Sequence, residues 1–124
     1  KQLVAGKTVL DIASGEGYGS AMLASAALKV TGVDISQEVV SHAQTKYRAK
    51  NLEFRLGSCA AIPLEDASVD VVVSFETIEH HVEHEAMMRE IKRVLRPGVS
   101  NATKVTATEE TNHGKNVTTY RNNA

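Results

Sequence analysis

A single cysteine, Cys59, stands among 124 residues. No disulfide can form within the chain, and a reducing cytoplasm is the simple expectation. Long apolar runs are missing too: "AMLASAAL" is the nearest approach to the roughly 18 residues that a membrane span needs. That excludes a helical membrane anchor from this stretch. No basic segment followed by an apolar one opens the chain, so nothing argues for secretion. A formal net charge of −1 gives no electrostatic footprint for nucleic acid or an anionic membrane. Methionine is absent from position 1, where Lys1 suggests a fragment.

What is present is the composition of one globular domain, 42% hydrophobic and 23% charged. A chain of this length buries roughly two-thirds of the surface that it exposes unfolded. From Val99 onward the composition changes: six Thr and five Asn, but no Leu, Ile, Phe or Met. Little apolar area can be buried there, which predicts a division into a domain over 1–98 and a linker, weak hairpin or tail over 99–124.

"TVLDIA" (8–13) is short, apolar and β-branched, the pattern of a strand buried on both faces. "GSAMLASAAL" (19–28) follows as a helix of small residues. "KVTGVD" (29–34) is a second strand, and Ser36 is an N-cap for a helix running to about Lys50. "LEFRL" (52–56) alternates like a strand nearer a sheet edge, and "GSCAAIPLEDAS" reads as a loop. "VDVVVSF" (69–75) is the most strand-like run and should be central. Residues 83–95 put Met87, Met88, Ile91, Val94 and Leu95 on one helical face, and "RPG" stops that helix. The methionines read as core. Strands alternating with helices predict an α/β fold with a Rossmann-like, doubly wound, mostly parallel sheet, shortened at its C-terminal end.

In such a sheet, ligands bind beyond the carboxyl ends of the strands. "DIASGEGYG" (11–19) places three alternate glycines there, between the first strand and first helix. Glycines let the backbone turn sharply and a ligand approach without Cβ interference, although a tight packing turn asks for the same residues. Asp34 ends the next strand and is placed to accept hydrogen bonds from both hydroxyls of a ribose. Together the loop and the acid favour a nucleoside cofactor. A dinucleotide fingerprint would put the third glycine one place later than Gly19, which disfavours NAD.

At these residues the chain resembles the class I S-adenosylmethionine-dependent methyltransferases, in particular their small methyltransferase-11-like branch. "VLDIASGEGYG" resembles the first motif and "VTGVDIS" the second. "FRLGSCAAIPLEDASVDVVVSFETIEH" resembles the third and fourth, and "EIKRVLRPG" the helix and turn before a fifth strand. The resemblance runs from about Val4 to Gly98. It implies an enzyme that moves a methyl group from S-adenosylmethionine to an O or N acceptor, with a small molecule as partner. Asp11 precedes the loop, while Gly15, Gly17 and Gly19, with Tyr18 among them, approach the methionine portion. By the same resemblance Asp34 holds the ribose, Ile35 packs on the adenine face, Cys59 lies at the adenine edge, and Phe75 with Glu76 closes the site. Ser58 departs from the family, which usually has an acid there to receive the adenine amino group. A serine hydroxyl accepts that bond more weakly.

"ETIEHHVEH" (76–84) supports several readings. If it begins a helix, Glu76, Glu79 and His80 fall at i, i+3 and i+4, a set suited to a divalent cation. The Glu-x-x-Glu-His pattern resembles that of small-RNA 2′-O-methyltransferases and ubiquinone-pathway O-methyltransferases. The bland counterpart is an acidic helix start with histidines in solvent. Between them stands His80 or His81 as general base toward an acceptor hydroxyl.

Family members continue past "RPG" with an apolar fifth strand and two more. Here the polar segment follows, with at best a weak hairpin turning at "NHGK" (112–115). The expectation is a bare apolar edge on the fourth strand and, through it, a homodimer. A non-catalytic remnant that keeps only the cofactor half is the alternative function.

Overall fold

The computed structural model describes residues 4–77, 85–97, 104–112 and 115–123. Its strands and helices are β1 (Thr8–Ile12), α1 (Tyr18–Ala24), β2 (Lys29–Asp34), α2 (Gln37–Lys46), β3 (Leu52–Leu56), β4 (Val71–Thr77), α3 (Glu85–Val94), β5 (Val105–Asn112) and β6 (Lys115–Asn122). They build one sheet in the order β3-β2-β1-β4-β6-β5. The pairs β1–β2, β1–β4 and β2–β3 are parallel, while β4–β6 and β5–β6 are antiparallel. Both central strands are apolar on both faces because helices cover both. On one face Leu10, Ile12, Val33 and Val72 pack with Met87, Ile91 and Val94 of α3. On the other, Val9, Val30, Val71 and Val73 pack with Leu23 and Ala27, and Val40 and Ala43 of α2 close on Phe54.

β2 and β3 span the residues that their sequence predicts, and β3 is an edge strand. α1 is shorter than the expected 19–28. Ser25 turns the chain, donating from N and Oγ to Met22 O, and the Asn51 side chain caps Ala24 O and Ala27 O at 2.8 and 3.2 Å. α2 stops at Lys46, before the expected Lys50, because Tyr47 is extended. Its start is as read: Ser36 Oγ accepts from Val39 N. β4 begins at Val71 rather than 69, since Val69 is drawn to α3's end, donating to Val94 O and accepting from Arg96 N.

The largest departure is the polar C-terminal segment. Of the alternatives read there the hairpin forms, with Asn112 opposite Lys115 across the expected turn, and β6 goes further by pairing with the whole of β4, from Val71↔Arg121 to Thr77↔Lys115. The bare β4 edge expected from sequence is absent, and with it the motive for a homodimer there. Threonine and valine explain the difference, because β-branched residues fit a pleated surface without large aliphatic neighbours. Tyr120 and Thr118, with Val105 beside them, bury toward α3, and Val117 packs on the opposite cluster.

Candidate functional site

The carboxyl ends of the parallel strands carry the site. After β1 the chain turns through Ala13, Gly15 and Gly17, all at positive φ. Gly15 and Gly17 serve different ends. A Cβ on Gly17, the αL N-cap of α1, would sit 2.9 Å from the Phe54 ring and 3.0 Å from Ala43 Cβ. A Cβ on Gly15 would meet nothing within 4 Å. Gly17 therefore locks the loop onto the sheet, while Gly15 leaves backbone open to a ligand. Gly17→Ala is expected to cost about 2 kcal/mol from positive φ and overpacking together, lowering Tm by roughly 10 °C in a thermal melt. Gly15→Ala, with only the φ penalty, should lower it by about half as much. Gly19 packs against the Phe75 ring, which joins β4 to the first turn of α1.

Asp34 ties the loop to β2. Its Oδ2 accepts from Gly15 N at 2.9 Å and its Oδ1 from Ser36 N at 3.0 Å. A carboxylate has about four acceptor positions, so two remain for a ligand. Beside it Ile35 is 76% exposed and Leu56, its neighbour at the end of β3, 48% exposed. Two large apolar side chains left in solvent at a strand end provide surface for a flat ring.

Beneath the loop, Asp11 is fully buried. Its Oδ2 accepts from Ser20 Oγ at 2.6 Å, while its Oδ1 and the nearby loop hydroxyl Ser14 Oγ, also buried, have no partner. Burial pushes the Asp11 carboxyl up to about 7, with the negative Asp34 adding to the rise and the Ser20 bond opposing it. Orphaned buried polar groups are costly in a finished core, so the Asp11 carboxyl and the Ser14 hydroxyl mark an unsatisfied place beneath the loop.

The loop after β3 completes the cluster. Gly57 N donates to Asp34 O at 2.9 Å, and Ser58 Oγ accepts from Ala60 N at 3.0 Å. Cys59 is half-buried, packed against the α3-side core, and Tyr18 is exposed. Thus Asp11, Gly15, Gly17, Asp34, Ile35, Ser58, Cys59 and Phe75 are placed on adjoining strands and the loops after them, with Tyr18 and Gly19 in the first turn of α1. Glu76 lies within β4, opposite Asn116, so the condition for the Glu76, Glu79 and His80 set, a helix beginning at Glu76, is not met. Extended backbone at Glu76 breaks the i, i+3, i+4 relation. Glu79, His80 and His81 lie outside the described residues. Among the described residues no three His, Cys, Asp or Glu side chains gather as a metal site. No helix among them is long and apolar enough to cross a membrane.

Sequence reasoning missed Ser20 and Leu56. Ser20 carried a faint signal, a hydroxyl on the buried face of a helix of small residues; Leu56 carried none until β2 and β3 were seen in register.

Known proteins resemble this chain in sequence and in fold. The family described as "Methyltransferase domain" matches residues 10–101. A probable S-adenosylmethionine-dependent methyltransferase of Mycolicibacterium smegmatis is 44% identical over 94 residues, 76% of this chain and 36% of its own. Among solved structures, a putative S-adenosylmethionine-dependent methyltransferase of Methanococcus maripaludis aligns with a TM-score of 0.70 at 25% identity, over 84% of this chain and 48% of its own. A chain in the complex of the Haloferax volcanii Trm112 methyltransferase activator and a putative methyltransferase aligns at 0.68 and 30% identity, covering 86% and 46%. The chain spans about a third of the length of the curated relatives it matches.

Proposed function

Because the chain belongs to the methyltransferase domain family, we propose that it binds S-adenosylmethionine at the carboxyl ends of β1 to β4 and transfers the methyl group to an oxygen or nitrogen of a small-molecule acceptor. The observation that carries this reading is the bond from Gly15 N to Asp34 Oδ2 at 2.9 Å, which brings an open backbone and a carboxylate to one place. Asp34 would hold the ribose hydroxyls through its two remaining acceptor positions. Ile35 and Leu56 would take the adenine faces, with the Ser58 hydroxyl at its edge. Asp11 Oδ1 and Ser14 Oγ would face the positively charged methionine end.

When bound, S-adenosylmethionine supplies a methyl group already activated by its sulfonium. The chain's own task is then to hold and orient, and most of the rate comes from alignment. Phe75, set on Gly19, walls the side of the site toward β4. His80 or His81 would take the proton of an acceptor hydroxyl. The lone cysteine, without a disulfide partner, supports work in a reducing cytoplasm.

The test is transfer of radiolabelled methyl from S-adenosylmethionine to a panel of alcohols, phenols and amines. Turnover that His80→Ala or His81→Ala lowers by about a hundredfold supports the assignment. Tight cofactor binding without turnover on any acceptor would favour the non-catalytic cofactor-binding remnant.

A further inference from the structure

The loop of residues 57–70 carries Ser58 and Cys59 at one end and is gripped from α3 at the other. Arg93 donates from Nη2 to Ile62 O at 2.9 Å, and from Nη1 to Leu64 O at 2.9 Å and to Asp66 Oδ1 at 2.7 Å. Its Nε and Nη2 also reach the two oxygens of Glu90, both at 2.9 Å. Glu90 Oε1 in turn accepts from Ile62 N at 2.7 Å. Arg55, from β3, donates to Pro63 O at 2.9 Å. Three consecutive carbonyls, those of residues 62–64, are thus each held by a guanidinium. A planar guanidinium fork suits such a fixed set of acceptors better than an ammonium does.

The grip continues into the site. A Cβ on Gly57 would lie 2.6 Å from Pro63 Cδ and 2.8 Å from its Cγ, so the proline ring rests directly on the Gly57 backbone. Gly57 N donates to Asp34 O. Contact therefore runs from Arg93 and Glu90 through the backbone of 62–64 and the Pro63 ring to Gly57, and from there to the backbone of Asp34.

We propose that Arg93 and Glu90 are positioning residues for the cofactor: by clamping residues 62–64 they set Gly57, and through it the place of Asp34 and Ser58. Neither needs to touch the cofactor. The proposal rests on the cofactor reading given above and adds to it a pair of residues on a different element from those that face the ligand. It also accounts for glycine at 57, where any side chain would push the proline ring and the clamp away.

S-adenosylhomocysteine binding is to be measured by calorimetry for the wild type, Arg93→Lys, Glu90→Gln, Gly57→Ala, Pro63→Ala and the double variant Gly57→Ala/Pro63→Ala, each at a temperature where it is folded. Arg93→Lys keeps the charge and loses the fork, and its Kd should rise about tenfold, with Glu90→Gln in the same direction. Gly57→Ala should raise Kd at least as much, and adding Pro63→Ala should recover most of the loss by vacating the crowded space. The Gly57 amide should exchange with solvent at least tenfold faster in ligand-free Arg93→Lys than in the wild type. A purely structural role predicts lower Tm with unchanged Kd and unchanged Gly57 exchange, and that result overturns the proposal. If the wild type does not bind, the cofactor reading fails and takes the proposal with it. Wild-type binding matched by every variant removes the positioning role alone.

Discussion

Between about pH 4 and pH 7 the wild-type chain is expected to lose about 4 kcal/mol of stability relative to its Asp11→Asn variant. Asp11 is protonated in the folded chain up to about pH 7, whereas unfolded it ionises near 3.8. Within that window the folded state binds the extra proton, so stability falls as pH rises. Below the window both states are protonated and the contribution is fully present. Above it the folded carboxyl has also released its proton and holds a buried charge, so the loss is complete and the slope vanishes. Glu53, Asp70 and Glu90 work the other way. Hydrogen bonds and opposite charges hold their carboxyls low against the effect of burial, so they add stability as pH rises from the acid side. The difference between wild type and Asp11→Asn cancels those three. Urea unfolding at half-unit pH steps would read it directly, and a flat difference would mean that Asp11 behaves as an ordinary exposed carboxyl.

Asp34→Ala should weaken S-adenosylhomocysteine binding a hundredfold or more, about 3 kcal/mol. Two bonds from ribose hydroxyls to a charged acceptor are worth roughly 1.5–3 kcal/mol each. The substitution also frees Gly15 N and Ser36 N, both now held by the carboxylate. Some of the loss would then come from a looser glycine loop. Asp34→Asn separates the contributions, since an amide oxygen still accepts one backbone bond but carries no charge. Its Kd should fall between those of the wild type and the alanine variant. Equal affinity in all three, measured by the same titration, would remove Asp34 from the site.

Legibility in the sequence followed physical type. Strands β1 and β4 were plain because burial on both faces leaves a mostly apolar run rich in β-branched residues, as in "TVLDI" and "VVVSF", and β3 because it alternates as an edge strand does. The loop and Asp34 were plain because alternate glycines after a strand and an acid ending the next have few joint explanations. Helix ends were harder, since they were decided by partners distant in sequence, such as Asn51 capping the carbonyls that end α1. The hairpin and its turn at 112–115 were legible, but its pairing with β4 was not, because composition weighs large aliphatic side chains, whereas Thr118, Thr119 and Tyr120 are buried through that pairing and packing against the core. Least legible was the Arg93 clamp: its acceptors are main-chain carbonyls roughly 30 residues away, which no side-chain pattern announces.

The measurement that bears most directly on the account is calorimetric titration of the chain with S-adenosylmethionine and S-adenosylhomocysteine, beside NAD. The account predicts one site per chain with Kd near micromolar, about −8 kcal/mol, for the two methionine-derived ligands and no heat with NAD. No heat with either from a folded sample would contradict it, and would leave Gly15 and Asp34 as parts of a turn that binds nothing.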